Sequence, residues 1–336
     1  LPGSSRTVDT RHTTWYASAE RGYHPVDRFT AQSIAAIAAD NVSGAGEIAE
    51  KSAEVLMRLA REAPVENAAS LQQLILTAGW ALIDAHPTMA PLVNLVNAVL
   101  QRLDAAADGV SAQRAVVDAA SEFKRRLRVH EAAIAEVSLR LIPEDGQVLT
   151  NGRSTTVRAA LRYAQRAGRR FRVICAEGRP ACEGRSLAAE LSASGISVSL
   201  AIDALAIAFV DKVQLVLVGA DHLTSHGLVN KAGTYGIALA ARAAGVPMYT
   251  LCSSEKFFPP GYVPPAQAAW PSEQVWPEAP AAVKVLNYYF DATPLDMLAG
   301  VVTEQGVQPR AGIDAWLAAT RTHPSLIRTY SGEQNA

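Results

Sequence analysis

Cysteine is scarce in this sequence of 336 residues, which holds only Cys175, Cys182 and Cys252. Three thiols are too few for a disulfide framework, and an odd number leaves at least one unpaired within the chain, so reduced thiols in the cytoplasm are expected. Long apolar runs are missing as well. The most apolar stretch, Val198 to Val210, is broken by Ser199 and Asp203, short of the 18 or so residues that a membrane-spanning helix needs. Neither sign of charge is in excess: Lys plus Arg is 31 and Asp plus Glu 32, a net charge of -1. Holding nucleic acid by bulk phosphate neutralisation needs a basic excess, so no direct nucleic-acid partner is expected, while local anion sites stay open. With 49% hydrophobic and 19% charged residues, the chain is too apolar to be disordered. No internal repeat is visible. Residue 1 is Leu rather than Met, which leaves the natural start and a removed targeting segment open.

Length alone suggests roughly two domains, and the texture divides accordingly. Residues 1–28 are polar and aperiodic and read as an arm. Residues 29–143 read as an all-helical domain of about five helices. Leu71, Leu74, Ile75, Ala78 and Leu82 fall on one helical face, as do Val116, Ala119, Phe123, Leu127, Ile134, Val137 and Leu141. Pro64, Pro87, Asp108-Gly109 and Pro143 supply the breaks. Residues 144–330 change to short β-branched runs alternating with helical stretches, the pattern of βαβ units around a parallel sheet. Strands are expected at Val148–Asn151, Phe171–Ala176, Val198–Ile202, Leu215–Ala220 and Pro247–Cys252, each apolar enough to be covered on both faces. Helices are expected near Ser154–Ala167, Gly184–Ala193, Asp203–Val210 and Lys231–Ala244. Residues 258–283 contain seven prolines with Trp270 and Trp276 and read as an irregular excursion, either a decorated surface loop or a lid.

In an open parallel sheet, ligands bind beyond the carboxyl ends of the strands. Five such places stand out. Thr150-Asn151-Gly152-Arg153-Ser154-Thr155-Thr156 offers a glycine turn, an arginine and a helix start suited to phosphate, although a simple capped turn accounts for it too. Glu177-Gly178-Arg179-Pro180 carries an arginine able to take phosphate bidentately, or to pair with Glu177 or Glu183 for structural reasons. Asp203 follows the third strand. Gly219-Ala220-Asp221-His222 delivers a carboxylate for general acid or base work. Gly227 to Thr234 puts Asn230 and Lys231 at the expected start of the next helix, a second candidate anion site.

Other motifs carry less. Gly44-Ala45-Gly46-Glu47-Ile48-Ala49 fits a dinucleotide pattern but follows a helix instead of a strand, so neither a nicotinamide nor any other cofactor is expected. His222 and His226 are four apart without further ligands, and no metal site is expected. Arg158, Arg162 and Arg166 read as a solvated helix face or a partner surface.

Taken together and in order, several segments resemble one family. They are Asp40-Asn41-Val42-Ser43-Gly44-Ala45, His86-Pro87-Thr88, Leu149-Thr150-Asn151-Gly152, Glu177-Gly178-Arg179-Pro180, Val218-Gly219-Ala220-Asp221, Gly227 to Thr234, Lys256-Phe257, Phe290-Asp291-Ala292-Thr293-Pro294 and Thr303-Glu304-Gln305-Gly306. The family contains the alpha, beta and delta subunits of eukaryotic initiation factor 2B together with methylthioribose-1-phosphate isomerase and ribose-1,5-bisphosphate isomerase. The resemblance implies an α/β fold, with an N-terminal all-helical domain followed by a Rossmann-like parallel-sheet domain. It implies an inter-domain cleft for a phosphorylated sugar or nucleoside monophosphate, and a homodimer.

In the isomerases an aspartate and a cysteine carry the proton transfers that turn an aldose 1-phosphate into a ketose 1-phosphate. The aspartate matches Asp221, but the cysteine position falls at Gly152. Two arginine positions of the isomerases are matched by Ser43 and His86, whereas Arg179, Asn230 and Lys231 match ligand-contacting residues. The expected ligand-binding set is therefore Ser43, Gly44, His86, Asn151, Gly152, Arg153, Ser154, Arg179, Asn230 and Lys231, with Asp221 the catalytic candidate. Losing a positioned acid or base typically costs about 10² to 10⁴ in rate. The leading expectation is accordingly a binder of phosphorylated sugar or nucleotide without the isomerase cysteine. The alternatives are an aldose–ketose sugar-phosphate isomerase using Asp221, and a non-catalytic assembly subunit.

Overall fold

The computed structural model describes residues 26–64, 66–260, 262–265, 267, 269–319 and 321–327. The expected arm, residues 1–28, lies outside them apart from its last three residues. Of these, Asp27 accepts hydrogen bonds from the backbone N–H groups of Phe29 and Thr30 and so opens the first helix.

Five helices follow: α1 Arg28–Ala39, α2 Ala45–Glu62, α3 Ala68–Ala85, α4 Ala90–Leu103 and α5 Gly109–Ser138. Asn67 and Asp108 cap α3 and α5 by accepting from Ser70 and Ser111 N–H groups. The two apolar stripes read from the sequence face inward. Leu71, Ile75, Ala78 and Leu82 of α3 meet Val116, Ala119 and Phe123 of α5 in one cluster with Ile48, Leu56, Leu92 and Leu100. Phe258 and Tyr262, from the start of the proline-rich excursion, are buried in that same cluster. The excursion is thus anchored in the helical region at one end.

The α/β part runs β1 Gly146–Thr150, α6 Thr155–Arg166, β2 Phe171–Ala176, α7 Glu183–Ala193, β3 Ser197–Ala201, α8 Asp203–Ala208 and β4 Leu215–Val218. A hairpin follows, β5 His222–Thr224 and β6 Gly227–Lys231, then α9 Thr234–Ala244 and β7 Met248–Leu251. The chain closes with β8 Phe290–Thr293, β9 Gly300–Thr303, β10 Gly306–Gln308 and α10 Arg310–Ala319. The main sheet has the order β10-β9-β7-β4-β1-β2-β3. All its pairings are parallel except β9 with β10. From β1 the chain builds outward to β2 and β3 on one side and to β4, β7 and β9 on the other. The order therefore reverses between β1 and β4, the place where open α/β sheets take their ligands beyond the carboxyl ends of the strands. A second, antiparallel sheet has the order β5-β6-β8.

Three expectations need correction. Lys231 does not start a helix: it ends strand β6 opposite Phe290 of β8, and the helix begins three residues later at Thr234. Strand β3 is not covered on both faces, because it is the edge strand, and Leu200 and the adjoining Ile202 are 48% and 60% exposed. The small sheet, and the pair β9 and β10, are strands that the β-branched runs did not announce. Their segments are three to five residues long, below the length at which alternation is readable.

Candidate functional site

Where the strand order reverses, β1 ends in Asn151 and Gly152, while β4 leads through Gly219 into Asp221. The Asn151 amide donates to the carbonyl oxygens of Lys231 and Ala232 at 3.2 Å and to Thr234 Oγ1 at 3.1 Å. Asn230 also donates to Thr234 Oγ1, at 3.0 Å. These bonds tie the end of β1 to the end of β6. Gly152 has φ +72°, and a Cβ built on it would lie 3.0 Å from Lys231 Cβ. The close approach of β6 therefore requires glycine there.

Lys231 is buried, its ammonium 2.9 Å from Glu183 Oε1 and 4.6 Å from the centre of the Tyr289 ring. Glu183 belongs to the first turn of α7 and was not singled out as a site residue from the sequence. Burial pushes its carboxyl up, and Lys231 pulls it back down. Asp221 sits in the field of the same charges. Burial raises its pKa from 3.8 to about 6, with Glu183 adding to the rise and Lys256 and Lys231 opposing it. Lys256, buried in the turn after β7, is positioned by Asn94 of α4, whose amide donates to the carbonyls of Glu255 and Phe257 at 2.7 Å. Asn151, Asp221, Lys231, Lys256 and Glu183 thus form one cluster at the reversal point. Its buried Asn151 Oδ1 and Glu183 Oε2 have no hydrogen-bond partner among the described residues.

The excursion makes one wall. Trp270 stacks on Tyr289 at 4.5 Å, and Gln274 Oε1 accepts from the Tyr289 hydroxyl and from the Asn287 amide, both at 2.9 Å. Arg179 reaches the same wall: its exposed guanidinium donates to the Val275 carbonyl at 3.3 Å. Its backbone N–H and that of Gly178 are held by the Asp203 carboxylate at 2.8 Å. Asp203 therefore clamps the Glu177 to Pro180 turn.

The remaining candidates have other partners. Arg153 is paired with Glu47 of α2 and Glu190 of α7, each at 2.9 Å, so its guanidinium ties the helical region to the sheet region. Arg158 joins that network, which accounts for one member of the arginine stripe. Ser154 Oγ caps α6 by accepting from Val157 N–H, and a Cβ on Gly219 would meet it at 2.5 Å. Ser43 Oγ accepts from Lys51, and Gly44 packs near the Arg153 carbonyl and the Thr155 methyl. His86 is buried with Nε2 2.8 Å from the Ile37 carbonyl, and burial lowers its pKa. Beside the cluster, His222 lies 2.5 Å from the Thr88 carbonyl through Nδ1 and is pushed by burial down to about 4, which keeps it neutral.

The two helix starts expected to hold an anion are already served. Asp291 of β8 accepts from the Gly233 and Tyr235 N–H groups at the start of α9, at 2.7 and 3.2 Å, and Ser154 serves α6. The available positive charge is instead on buried lysines. Chemically, a lysine ammonium near two carboxyls, both raised by burial, can hold an anionic group and exchange protons with what lies next to it.

A model of the initiation factor 2 subunit family matches residues 41–310. Ribose 1,5-bisphosphate isomerase of Archaeoglobus fulgidus is 32% identical over 275 residues, covering 80% of this chain and 86% of its own. The ribose 1,5-bisphosphate isomerase of Methanocaldococcus jannaschii is 31% identical over 280 residues, 82% of this chain and 89% of its own. Among solved structures, the Pyrococcus horikoshii OT3 translation initiation factor eIF-2B superposes with a TM-score of 0.74 at 28% identity, covering 85% of this chain and 99% of that one.

Proposed function

The chain belongs to the initiation factor 2 subunit family, and on that premise we propose that it binds a phosphorylated sugar at the reversal point and isomerises it from aldose to ketose. The carrying observation is the juxtaposition of buried Lys231 with half-buried Glu183 and Asp221 near Asn151 and Gly152. Lys231 and Lys256 supply positive charge for a phosphate group, and desolvation strengthens that attraction. Asp221, raised to about 6, keeps a protonated fraction near neutral pH and suits a general acid that gives a proton to a sugar oxygen. Ribose 1,5-bisphosphate, the compound named for two relatives, is the first substrate to try. The working state proposed is a homodimer in the cytoplasm.

A second reading is binding of a phosphorylated sugar or nucleoside monophosphate without turnover. It is favoured by Gly152, the residue that the family resemblance sets against the isomerase cysteine. Thermal unfolding with ribose 1,5-bisphosphate, ribose 5-phosphate and adenosine monophosphate tests the site common to both readings. A hundredfold excess over Kd should add about 2.7 kcal/mol of stability, and no shift with any of the three at millimolar concentration contradicts both. Proton NMR of ribose 1,5-bisphosphate incubated with the protein then separates them: conversion to the ketose that is lost in Asp221→Asn supports the isomerase, and binding without conversion supports the second reading.

A further inference from the structure

An isomerase needs a base at the carbon beside the anomeric centre as well as an acid, and the position expected to carry it is a glycine. The backbone explains why no side chain stands there. Gly152 has φ +72°, and an added Cβ would meet Lys231 Cβ at 3.0 Å and Cγ at 3.3 Å. That same Cβ would lie 3.7 Å from Glu183 Oε1. A residue-152 side chain would thus leave the backbone against Lys231, with the Lys231-paired oxygen of a carboxylate from α7 in van der Waals reach.

Two of the thiols are poorly suited to the role. Cys175 lies inside β2 and Cys252 follows β7, both buried and pushed up to about 12 by burial. Cys182 packs its sulfur against the Pro180 carbonyl, 3.7 Å away.

Glu183 is held firmly. A Cβ on Gly178 would come within 3.2 Å of its carboxyl carbon, so the β2–α7 turn wraps the carboxylate through a glycine at φ +74°. The next residue, Gly184, runs so close to the Ala176 carbonyl that a Cβ would sit 1.9 Å from that oxygen, which pins the start of α7 to the end of β2. One carboxylate oxygen is paired with Lys231, and the other, Oε2, is buried with no hydrogen-bond partner among the described residues. An unpaired buried carboxylate oxygen is costly to keep, and a reacting C–H or O–H would give it a partner.

We propose that the Glu183 carboxylate is the second proton-transfer group of this site, standing in for the side chain that Gly152 lacks. The inference rests on the isomerase reading. Glu183 takes the proton from C2 of the aldose 1-phosphate as the C1–C2 double bond forms and the C1–ring-oxygen bond breaks, and Asp221 gives its proton to the departing ring oxygen. The resulting enol then collapses: the 2-hydroxyl proton returns to Asp221, C2 becomes the carbonyl, and Glu183 delivers its proton to C1. Both carboxyls end as they began, and the product is the ketose 1-phosphate. Lys231 opposes the rise that burial gives the Glu183 carboxyl and shares its own charge with the phosphate.

The test compares wild type, Glu183→Gln and Glu183→Asp with ribose 1,5-bisphosphate, measuring affinity by calorimetry and conversion at saturation by proton NMR. Glu183→Gln should still bind, the Lys231 ammonium being freed toward the phosphate, and convert about 10² to 10⁴ times more slowly. Glu183→Asp, which keeps a carboxylate but withdraws it by one methylene, should fall between them. Because Glu183→Gln can disturb folding, its thermal unfolding is recorded, and Glu183→Asp alone carries the comparison if the glutamine variant is unfolded. Wild-type rates in the variants overturn the inference. Binding by the wild type with no conversion also overturns it and leaves a binding site standing, whereas no binding at all defeats the proposed function instead.

Discussion

Lys231 Nζ lies 2.9 Å from Glu183 Oε1, with only 6% and 13% of the two side chains exposed. Two charges taken this far out of water depend on each other, and removing one leaves the other buried and uncompensated. Lys231→Met should therefore lower unfolding free energy by about 3 kcal/mol at pH 7.5. The double variant Lys231→Met, Glu183→Gln should recover most of it, since no lone charge remains. Urea titrations read both values, and a loss under about 1 kcal/mol in the single variant counts against a tightly coupled pair.

Asp221 gives a pH signature of definite sign. Its carboxyl titrates near 6 in the folded chain against an ordinary 3.8. Between those values the folded state holds a proton that the unfolded state has lost, so this group's contribution to stability falls as pH rises from about 4 to 6 and stays lowered above. Asp221→Asn removes the ionisation. It should be more stable than wild type by roughly 2 to 3 kcal/mol at pH 7.5, with the gap closing toward pH 4. A gap that does not change with pH means the carboxyl is not held up by burial.

His130 of α5 carries the opposite dependence on a different contact. Its Nδ1 lies 2.9 Å from Oε1 of the buried Glu255, and that hydrogen bond raises its pKa above 6.5. A raised histidine contributes stability that is complete below 6.5 and is lost as pH rises through the folded value. His130→Gln should thus cost more at pH 6 than at pH 9 in paired thermal unfolding scans. Equal costs at both show that the charge plays no part in joining α5 to the sheet region.

Gly152 tests the close approach of β1 to β6. Alanine there must adopt φ +72° and displace Lys231 Cβ from 3.0 Å, so Gly152→Ala should lose more than about 1 kcal/mol. Affinity for ribose 5-phosphate should fall as the ammonium moves. Full stability with unchanged affinity indicates that the backbone relaxes freely and that the approach of β1 to β6 is looser than described.

How much of this could be read from the chain alone follows from the range of each interaction. The helical stripes from Leu71 to Leu82 and Val116 to Leu127 were legible because periodicity is local. The strand ends carrying Asn151 and Asp221 were legible because an apolar run stops before them. Lys231 is read from the sequence into the wrong element, since a five-residue strand that sets it opposite Phe290, some 60 residues later, leaves no local trace. Arg153 looked like a phosphate ligand, and only tertiary packing shows Glu47 and Glu190 on either side of it. Glu183 enters the sequence reading only as a structural partner for Arg179, one residue before the expected helix, whereas its partner is Lys231. Its flanking glycines, Gly178 and Gly184, were the available signal, but their meaning lies in contacts with a carboxylate and with the Ala176 carbonyl.

Lys231, with Asp221 beside it beyond the carboxyl ends of β1 and β4, is proposed to hold a phosphorylated sugar. A crystal structure of the protein soaked with ribose 1,5-bisphosphate tests this most directly. The account predicts a phosphate group within hydrogen-bond distance of Lys231 Nζ and the sugar ring against the Asp221 and Glu183 carboxyls. An unoccupied site at saturating ligand, or a sugar bound on another face of the molecule, contradicts it.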